Sequence, residues 1–190
     1  MTPPLILASA SPRRRALLGR LGLGFDIAES HVDEAVRGPL SVTALVRDLA
    51  LRKARAVAGT HMTGSVLGAE TEVAVDGMVL GKPTDADDAV RMLRLLRGRG
   101  HTVATGVAVI DIDAGTERVA VAVTRVTTHA TTDEQIGAYV ASGEPMDKAG
   151  AYAIQGAGGA LVMAIEGRLD TVVGLPLDLV ADLLDVDPPV

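Results

Sequence analysis

The fold class follows from residues 5–15, which read LILASASPRRR. Leu5–Ala8 is a short apolar run that predicts a buried strand. Ser11 suits a helix N-cap and Pro12 the first helical position, so the spacing predicts a helix directly after the strand, ending by Gly22. A strand that leads straight into a helix is typical of α/β proteins.

The same alternation continues along the chain. Helical patterns cover residues 41–58, 85–97, 131–143 and the segment after Pro176. Strand patterns cover residues 66–69, 72–75, 78–80, 102–112, 117–128 and 161–165. Interleaved helices and strands throughout the chain predict an α/β fold.

Composition excludes several classes of function. The 190 residues, 48% hydrophobic, suffice for one sizeable core and not for several independent domains. The absence of cysteine excludes disulfides, thiolate catalysis and zinc–sulfur sites. A net charge of −6 argues against a broad nucleic-acid surface. No apolar run approaches the roughly 20 residues that span a bilayer, and the first arginines follow the apolar run, unlike a secretory signal. We therefore expect a cytoplasmic protein without membrane or nucleic-acid partners.

Three arginines, Arg13 to Arg15, stand at a predicted helix N-terminus, where the helix dipole favours acidic residues. With an anion present, free backbone N–H groups, a hydroxyl and guanidinium groups converge there on a phosphate. The alternative is a solvated basic turn. Because the segment follows a buried strand, we favour the phosphate interpretation.

Lys53 occupies the apolar stripe of its predicted helix. That stripe is formed by Val42, Leu45, Val46, Leu49 and Val57. A lysine in such a position either extends its ammonium to solvent or pairs with a carboxylate, or it reaches a phosphate at the floor of a cleft. Both interpretations stay open.

Glu70 ends an apolar strand, and Lys82 lies in the stiff turn Gly81–Pro83. Carboxylates at strand ends suit Mg²⁺, which takes one or two carboxylates together with substrate phosphates. The alternative is a capped strand end with an ordinary surface lysine. Glu34 and its neighbour Asp33 lie in a loop, for which a solvated surface is the simplest interpretation.

Residues 143–156 form a long, glycine-rich segment without periodicity, and they are too apolar for a disordered tail. The four histidines have no metal-ligand spacing, so we assign them no role. From the residues alone, we predict an α/β protein with a metal-assisted site for a phosphorylated small molecule.

These segments together resemble the Maf (septum-formation) family of nucleoside triphosphate pyrophosphatases. The matching blocks are residues 5–14, Lys53, and residues 68–71, 81–83, 105–107, 147–152, 154–156 and 173–177. They occur in the family's order and spacing over nearly the whole chain, which makes the resemblance highly specific.

The resemblance implies a single Maf-like domain over residues 1–190. Its expected fold is an elongated α/β unit with a central mixed sheet flanked by helices and two lobes around a substrate cleft, and its expected assembly is a homodimer. The implied activity is hydrolysis of a nucleoside triphosphate between the α and β phosphates, with Mg²⁺ or Mn²⁺. The sequence DKAGAY at residues 147–152, followed by IQG, resembles the branch that acts on dTTP and UTP.

The resemblance also implies roles for individual residues. The expected catalytic residues are Arg13, Lys53, Glu70 and Lys82. The expected substrate-binding residues are Ser9, Arg13, Arg14, Thr71, Lys148 and Gln155. The expected metal ligands are Glu34 and Glu70. A glutamine amide can pair with uracil or thymine, but after flipping it also suits cytosine, so Gln155 alone does not decide the base.

One position departs from the family pattern, which has Asp where this chain has Glu70. The extra methylene moves the carboxylate by about 1 Å, a displacement that can cost roughly 10²-fold in rate. We therefore expect a slower enzyme that prefers Mn²⁺. Two alternatives are a catalytically weak, nucleotide-binding regulator of cell division and a pyrophosphatase for other or modified nucleotides.

Overall fold

In the computed structural model, which describes residues 4–34 and 40–188, helices and strands alternate along the chain. The strands are β1 (Leu5–Leu7), β2 (Phe25–Ile27), β3 (Ser65–Val75), β4 (Met78–Leu80), β5 (Gly100–Asp111), β6 (Thr116–Thr128) and β7 (Val162–Glu166). The α-helices are α1 (Pro12–Gly19), α2 (Val42–Ala58), α3 (Ala86–Leu96), α4 (Asp133–Ala141), α5 (Leu169–Val173) and α6 (Leu177–Leu184). Short 3₁₀ helices cover Glu144–Asp147, Ala149–Ala151 and Gly156–Leu161.

The strands form one mixed sheet of seven strands in the order β2-β1-β3-β5-β6-β7, with β4 paired to β3. β1 runs parallel to both of its neighbours, and Leu5 lies opposite Phe25 on one side and Ser65 on the other. β4 is antiparallel to β3, and β7 is antiparallel to β6. The predicted α/β class and central mixed sheet flanked by helices are therefore confirmed.

Short polar side chains cap the N-termini of α1, α2, α3 and α4, as the sequence predicts for α1. The Ser11 hydroxyl accepts a hydrogen bond from the Arg14 N–H at 3.4 Å, and Pro12 is the first helical residue. Ser41 caps α2 and Asp85 caps α3 in the same way. Each cap satisfies a backbone donor that the helix itself leaves unpaired.

Three local expectations differ from the structure. Residues 65–75 form one continuous strand instead of two, so Glu70 and Thr71 lie inside β3. The helix α4 begins at Asp133, behind a capping box of Thr132 and Gln135, and not at residue 131. The strand β2 is absent from the prediction, because three residues after a glycine-rich turn carry no periodic signal.

The chain divides into two compact units. The first unit comprises Met1–Glu70, Thr105–Ala122 and Gly174–Val190, and the second comprises Thr71–Ala104 and Val123–Val173. The core of the first unit includes Ile6, Ala8, Ala50, Ala54, Val57, Val66, Ala108 and Ile110. The core of the second includes Val73, Leu80, Met92, Leu93, Leu96, Val103, Val126, Ile136, Tyr139, Tyr152 and Leu161.

Two glycines bring α2 unusually close to the sheet in the first unit. A Cβ atom on Gly68 would lie 2.4 Å from the Ala50 carbonyl oxygen, and one on Gly106 would lie 2.2 Å from that of Val46. Only residues without a side chain fit at these two positions. Within the described ranges, no helix combines the length and the apolar character that crossing a membrane requires.

Candidate active site

Ser9 lies two residues after the end of β1 and is buried. Its hydroxyl oxygen accepts hydrogen bonds from the Ser11 N–H at 3.2 Å and from Arg14 Nη1 at 3.3 Å. Arg13 and Arg14 follow in the first turn of α1, and both are half-buried. The segment therefore places a hydroxyl, a helix N-terminus and arginines together, as the phosphate interpretation of the sequence requires.

Arg14 is held by three groups of the first unit. Its Nε donates to the Gly174 carbonyl at 3.0 Å, Nη1 donates to Ser9, and Nη2 lies 3.5 Å from Glu70 Oε1. A guanidinium fixed by several partners loses little further entropy when it binds an anion. The solvated basic turn, the alternative weighed for residues 13–15, does not describe Arg14.

Lys53 points inward from α2 and is only 7% exposed. Its ammonium contacts Glu70 Oε2 and lies 2.6 Å from Glu34 Oε1. Glu70 is equally buried, whereas the Glu34 side chain is 46% exposed. The structure thus resolves part of the open question about Lys53, because it shows the lysine paired with two carboxylates.

Arg14, Glu70, Lys53 and Glu34 form one connected set of ion pairs, which we call the charged cluster. Gly68 lies two residues before Glu70, and its missing side chain lets α2 approach β3 closely at Ala50 and Ala54. That approach brings the helix bearing Lys53 against the strand bearing Glu70. The burial of Glu70 is tolerable because both of its oxygens have cationic partners.

The cluster also contains donors that suit a hard divalent cation. The Glu34 and Glu70 carboxylates both contact the Lys53 ammonium group, so one oxygen of each already faces a shared positive charge. In the part of the chain that the structure describes, no three His, Asp or Glu side chains are grouped as a metal site. Two carboxylates fit Mg²⁺ or Mn²⁺ when phosphate oxygens and water complete the coordination.

The remaining predicted residues belong to the second unit. Lys148 Nζ donates to the Glu144 carbonyl oxygen at 3.1 Å and pairs with the Asp147 carboxylate. The Gly150 N–H donates to the Gly81 carbonyl at 3.0 Å, which ties the segment of Lys148 to the turn that carries Lys82. Lys82 and Gln155 are exposed, and Thr71 is half-buried in β3.

Glu144 is a residue that the sequence reasoning missed. Its Oε1 accepts hydrogen bonds from the Tyr139 hydroxyl and the Gly158 N–H, both at 3.0 Å, and its Oε2 accepts one from the Ala157 N–H at 3.2 Å. Desolvation opposes ionisation of Glu144, but these bonds outweigh it and lower its pKa. The sequence signal for Glu144 is the pair of glycines Gly156 and Gly158 that follow it. Closely spaced glycines indicate that the backbone approaches another group closely.

His101, to which the sequence assigned no role, is buried at 3% exposure. Its Nε2 lies 2.7 Å from the Tyr152 hydroxyl, and the two rings meet edge to face. Burial lowers the pKa of His101 to about 4, so the ring is neutral near pH 7. The histidine therefore supports Tyr152 without contributing charge.

The fold and the charged cluster define an α/β protein with the residue types of a phosphate and divalent-cation site. The chain belongs to the Maf family, whose sequence model, described as Maf-like protein, matches residues 4–186. This finding confirms the family resemblance seen in the sequence.

Several curated proteins are similar to the chain over nearly its full length. A dTTP/UTP pyrophosphatase of Moorella thermoacetica is 56% identical over 182 residues, which cover 96% of this chain and 94% of the relative. One of Pelotomaculum thermopropionicum is 50% identical over 180 residues, 95% of this chain and 94% of the relative. One of Desulforamulus reducens is 49% identical over 181 residues, 95% of both chains.

Proposed function

We propose that this protein hydrolyses dTTP and UTP between the α and β phosphates, releasing the nucleoside monophosphate and pyrophosphate. The observation that carries the proposal is the charged cluster beside the N-terminus of α1, in a chain about half identical to dTTP/UTP pyrophosphatases. We propose further that the protein acts in the cytoplasm as a homodimer, the state that the family resemblance implies.

Phosphate binding is assigned to one hydroxyl and to several cationic side chains. Ser9, Arg13 and Arg14 would bind phosphate oxygens at the start of α1, where Arg14 is already oriented by the Gly174 carbonyl. Lys53, Lys82 and Lys148 would neutralise the remaining charge. Because screening confines electrostatic fields to about 8 Å, such local cations act despite the acidic charge of the whole chain.

Glu34 and Glu70 would hold the divalent cation. When bound, that cation would neutralise charge on the triphosphate and polarise a phosphate oxygen. Glu70 is also the candidate that accepts a proton from the attacking water.

Thr71 and Gln155 would recognise the base. The Gln155 amide offers one acceptor and two donors, which can match O4 and N3–H of uracil or thymine. An amide presented in the opposite orientation would match cytosine, so discrimination depends on how the surrounding residues hold Gln155.

The test is pyrophosphate release from dTTP, UTP, CTP, dCTP, ATP and GTP, measured with Mg²⁺ and separately with Mn²⁺. We expect turnover of dTTP and UTP to exceed that of the other nucleotides. Lys82→Ala should lose at least about 10²-fold in kcat, the scale seen when a group that stabilises developing charge is removed. Arg118→Ala, which removes an exposed cation of β6, is the matched control and should keep the wild-type rate.

A second function stays distinguishable in the same assay. Glu70 in place of the family's Asp favours a weak catalyst, and a regulator of cell division would bind nucleotide without releasing pyrophosphate. If none of these nucleotides released pyrophosphate while the protein still bound them, the regulator would replace the enzyme as the proposed function. Preferential turnover of a purine or modified nucleotide would instead change the substrate class.

A further inference from the structure

Residues 153–158 are attached at both ends to one pair of side chains. The Ala153 N–H donates to the Tyr139 hydroxyl oxygen at 3.1 Å, and that hydroxyl donates to Glu144 Oε1 at 3.0 Å. At the other end, the N–H groups of Ala157 and Gly158 donate to the Glu144 carboxylate. Gln155 lies in the middle of this short, doubly attached segment.

Two glycines let the segment approach the pair this closely. A Cβ atom on Gly156 would lie 2.8 Å from Glu144 Oε2, and one on Gly158 would lie 2.5 Å from the Tyr139 hydroxyl oxygen. Gly156 also has φ of +78°, a conformation that favours glycine. The backbone beside Gln155 therefore packs directly against the Glu144 carboxylate and the Tyr139 phenol.

The chemistry of the pair favours one arrangement of donors. Burial raises the pKa of Tyr139, so its phenol stays protonated. The hydroxyl therefore donates a hydrogen bond to Glu144. Glu144 is ionised and accepts from three donors. The Glu144 backbone carbonyl additionally accepts from Lys148 Nζ at 3.1 Å. One residue thus connects the candidate base-reading and phosphate-binding positions of the second unit.

We propose that Tyr139 and Glu144 are positioning residues that hold Gln155 in the orientation that selects uracil and thymine over cytosine. The proposal rests on the proposed function, because it takes Gln155 as the residue that reads the base. A recognition group must be held within about 0.5 Å of its productive position, and flexible loops reach that precision only when such contacts support them.

The test compares Tyr139→Phe, which removes only the hydroxyl, and Glu144→Gln, which keeps the shape but turns an amide N–H₂ toward backbone donors. Glu166→Gln, at an exposed carboxylate of β7, is the matched control. The readout is the ratio of Kd values for dUTP and dCTP analogues whose α–β bridging oxygen is replaced by NH, measured by calorimetry on variants with a native melting transition.

We expect each variant to reduce the preference for the dUTP analogue by roughly tenfold, the scale of one or two lost hydrogen bonds. For dTTP hydrolysis, KM should change more than kcat, and Glu166→Gln should leave both unchanged. In a Gln155→Ala background, either substitution should have little further effect on the preference, because residues that act through one another are not additive.

Three results with the variants would overturn the proposal. They are an unchanged preference in both variants, an equal loss of affinity for both analogues, and full additivity with Gln155→Ala. A wild-type protein that binds the two analogues equally would also overturn it. Because the readout is binding, a protein that binds the dUTP analogue selectively but releases no pyrophosphate would contradict the proposed function alone.

Discussion

Glu70 binds two cations at once, with Oε1 toward Arg14 and Oε2 in contact with Lys53. The resemblance seen in the sequence implies Asp at this position, whose carboxylate is one methylene shorter. We predict that Glu70→Asp raises kcat/KM for dTTP by up to about 10²-fold, since a displacement near 1 Å costs that much when it misplaces a catalytic group. The ratio of Mn²⁺-supported to Mg²⁺-supported pyrophosphate release should fall in parallel.

The control for shortening a carboxylate is Glu117→Asp. Glu117 forms an exposed pair with Arg55, outside the charged cluster, and its substitution should leave the rate unchanged. An unchanged kcat/KM in Glu70→Asp would show that the longer side chain costs nothing here.

At this scale the sequence reveals which residues are unusually placed, but not what they contact. Lys53 stands out because it interrupts an apolar stripe, and the structure confirms its burial. Its partners Glu34 and Glu70 are 19 and 17 residues away along the chain, and the Gly174 carbonyl is 160 residues from Arg14. No local pattern reveals such pairs, because the fold alone brings them together.

Among the elements, α2 packs so closely on the sheet that Gly68 and Gly106 leave no room for a side chain. We predict that Gly68→Ala lowers the free energy of unfolding by about 3 kcal/mol, because the new methyl group would meet backbone atoms of Ala50 and Ala54, which cannot move separately. Urea denaturation measures the change. The shift of α2 should also lower the rate of pyrophosphate release, since α2 carries Lys53.

Gly137→Ala in α4 is the matched control, because nothing lies within 4 Å of its Cβ position. That substitution should stabilise the protein by about 0.5–1 kcal/mol through helix propensity. Equal effects of the two substitutions would show that α2 and β3 separate at little cost.

The elements that sequence reasoning predicts well have local signals. Ser11 and Pro12 mark the start of α1, and the Asp76–Gly77 turn marks the β3–β4 hairpin. β2 escapes prediction because its three residues gain their structure only by pairing with β1. The polar Glu70 and Thr71 break the apolar pattern of β3 without breaking the strand.

The stability of the whole molecule should depend on pH through His101. Its pKa is about 4 in the folded protein, and a histidine in the unfolded chain titrates near 6.5. Between these values the unfolded chain binds the proton more readily, so the stability that His101 contributes falls as pH decreases from about 6.5 to about 4, and this contribution changes no further below that range. The total contribution is about 3 kcal/mol.

Urea denaturation at several pH values checks this dependence. His101→Gln, which can still bond to Tyr152, should flatten the decrease between pH 6.5 and 4, whereas the exposed His31→Gln should not. Parallel curves for the wild type and His101→Gln would assign the acid sensitivity to other groups.

The separation of Arg14 from the Gly174 carbonyl also matters while the chain is being made. Ribosomes add about 5–20 residues per second, so the partner of Arg14 is synthesised on the order of 10 s after it. The first unit includes both Met1–Glu70 and Gly174–Val190, with the buried Leu175 and Leu177 in its last segment. The nascent protein therefore cannot complete its first unit, or hold Arg14 in place, until Gly174 and the buried Leu175 and Leu177 have been synthesised.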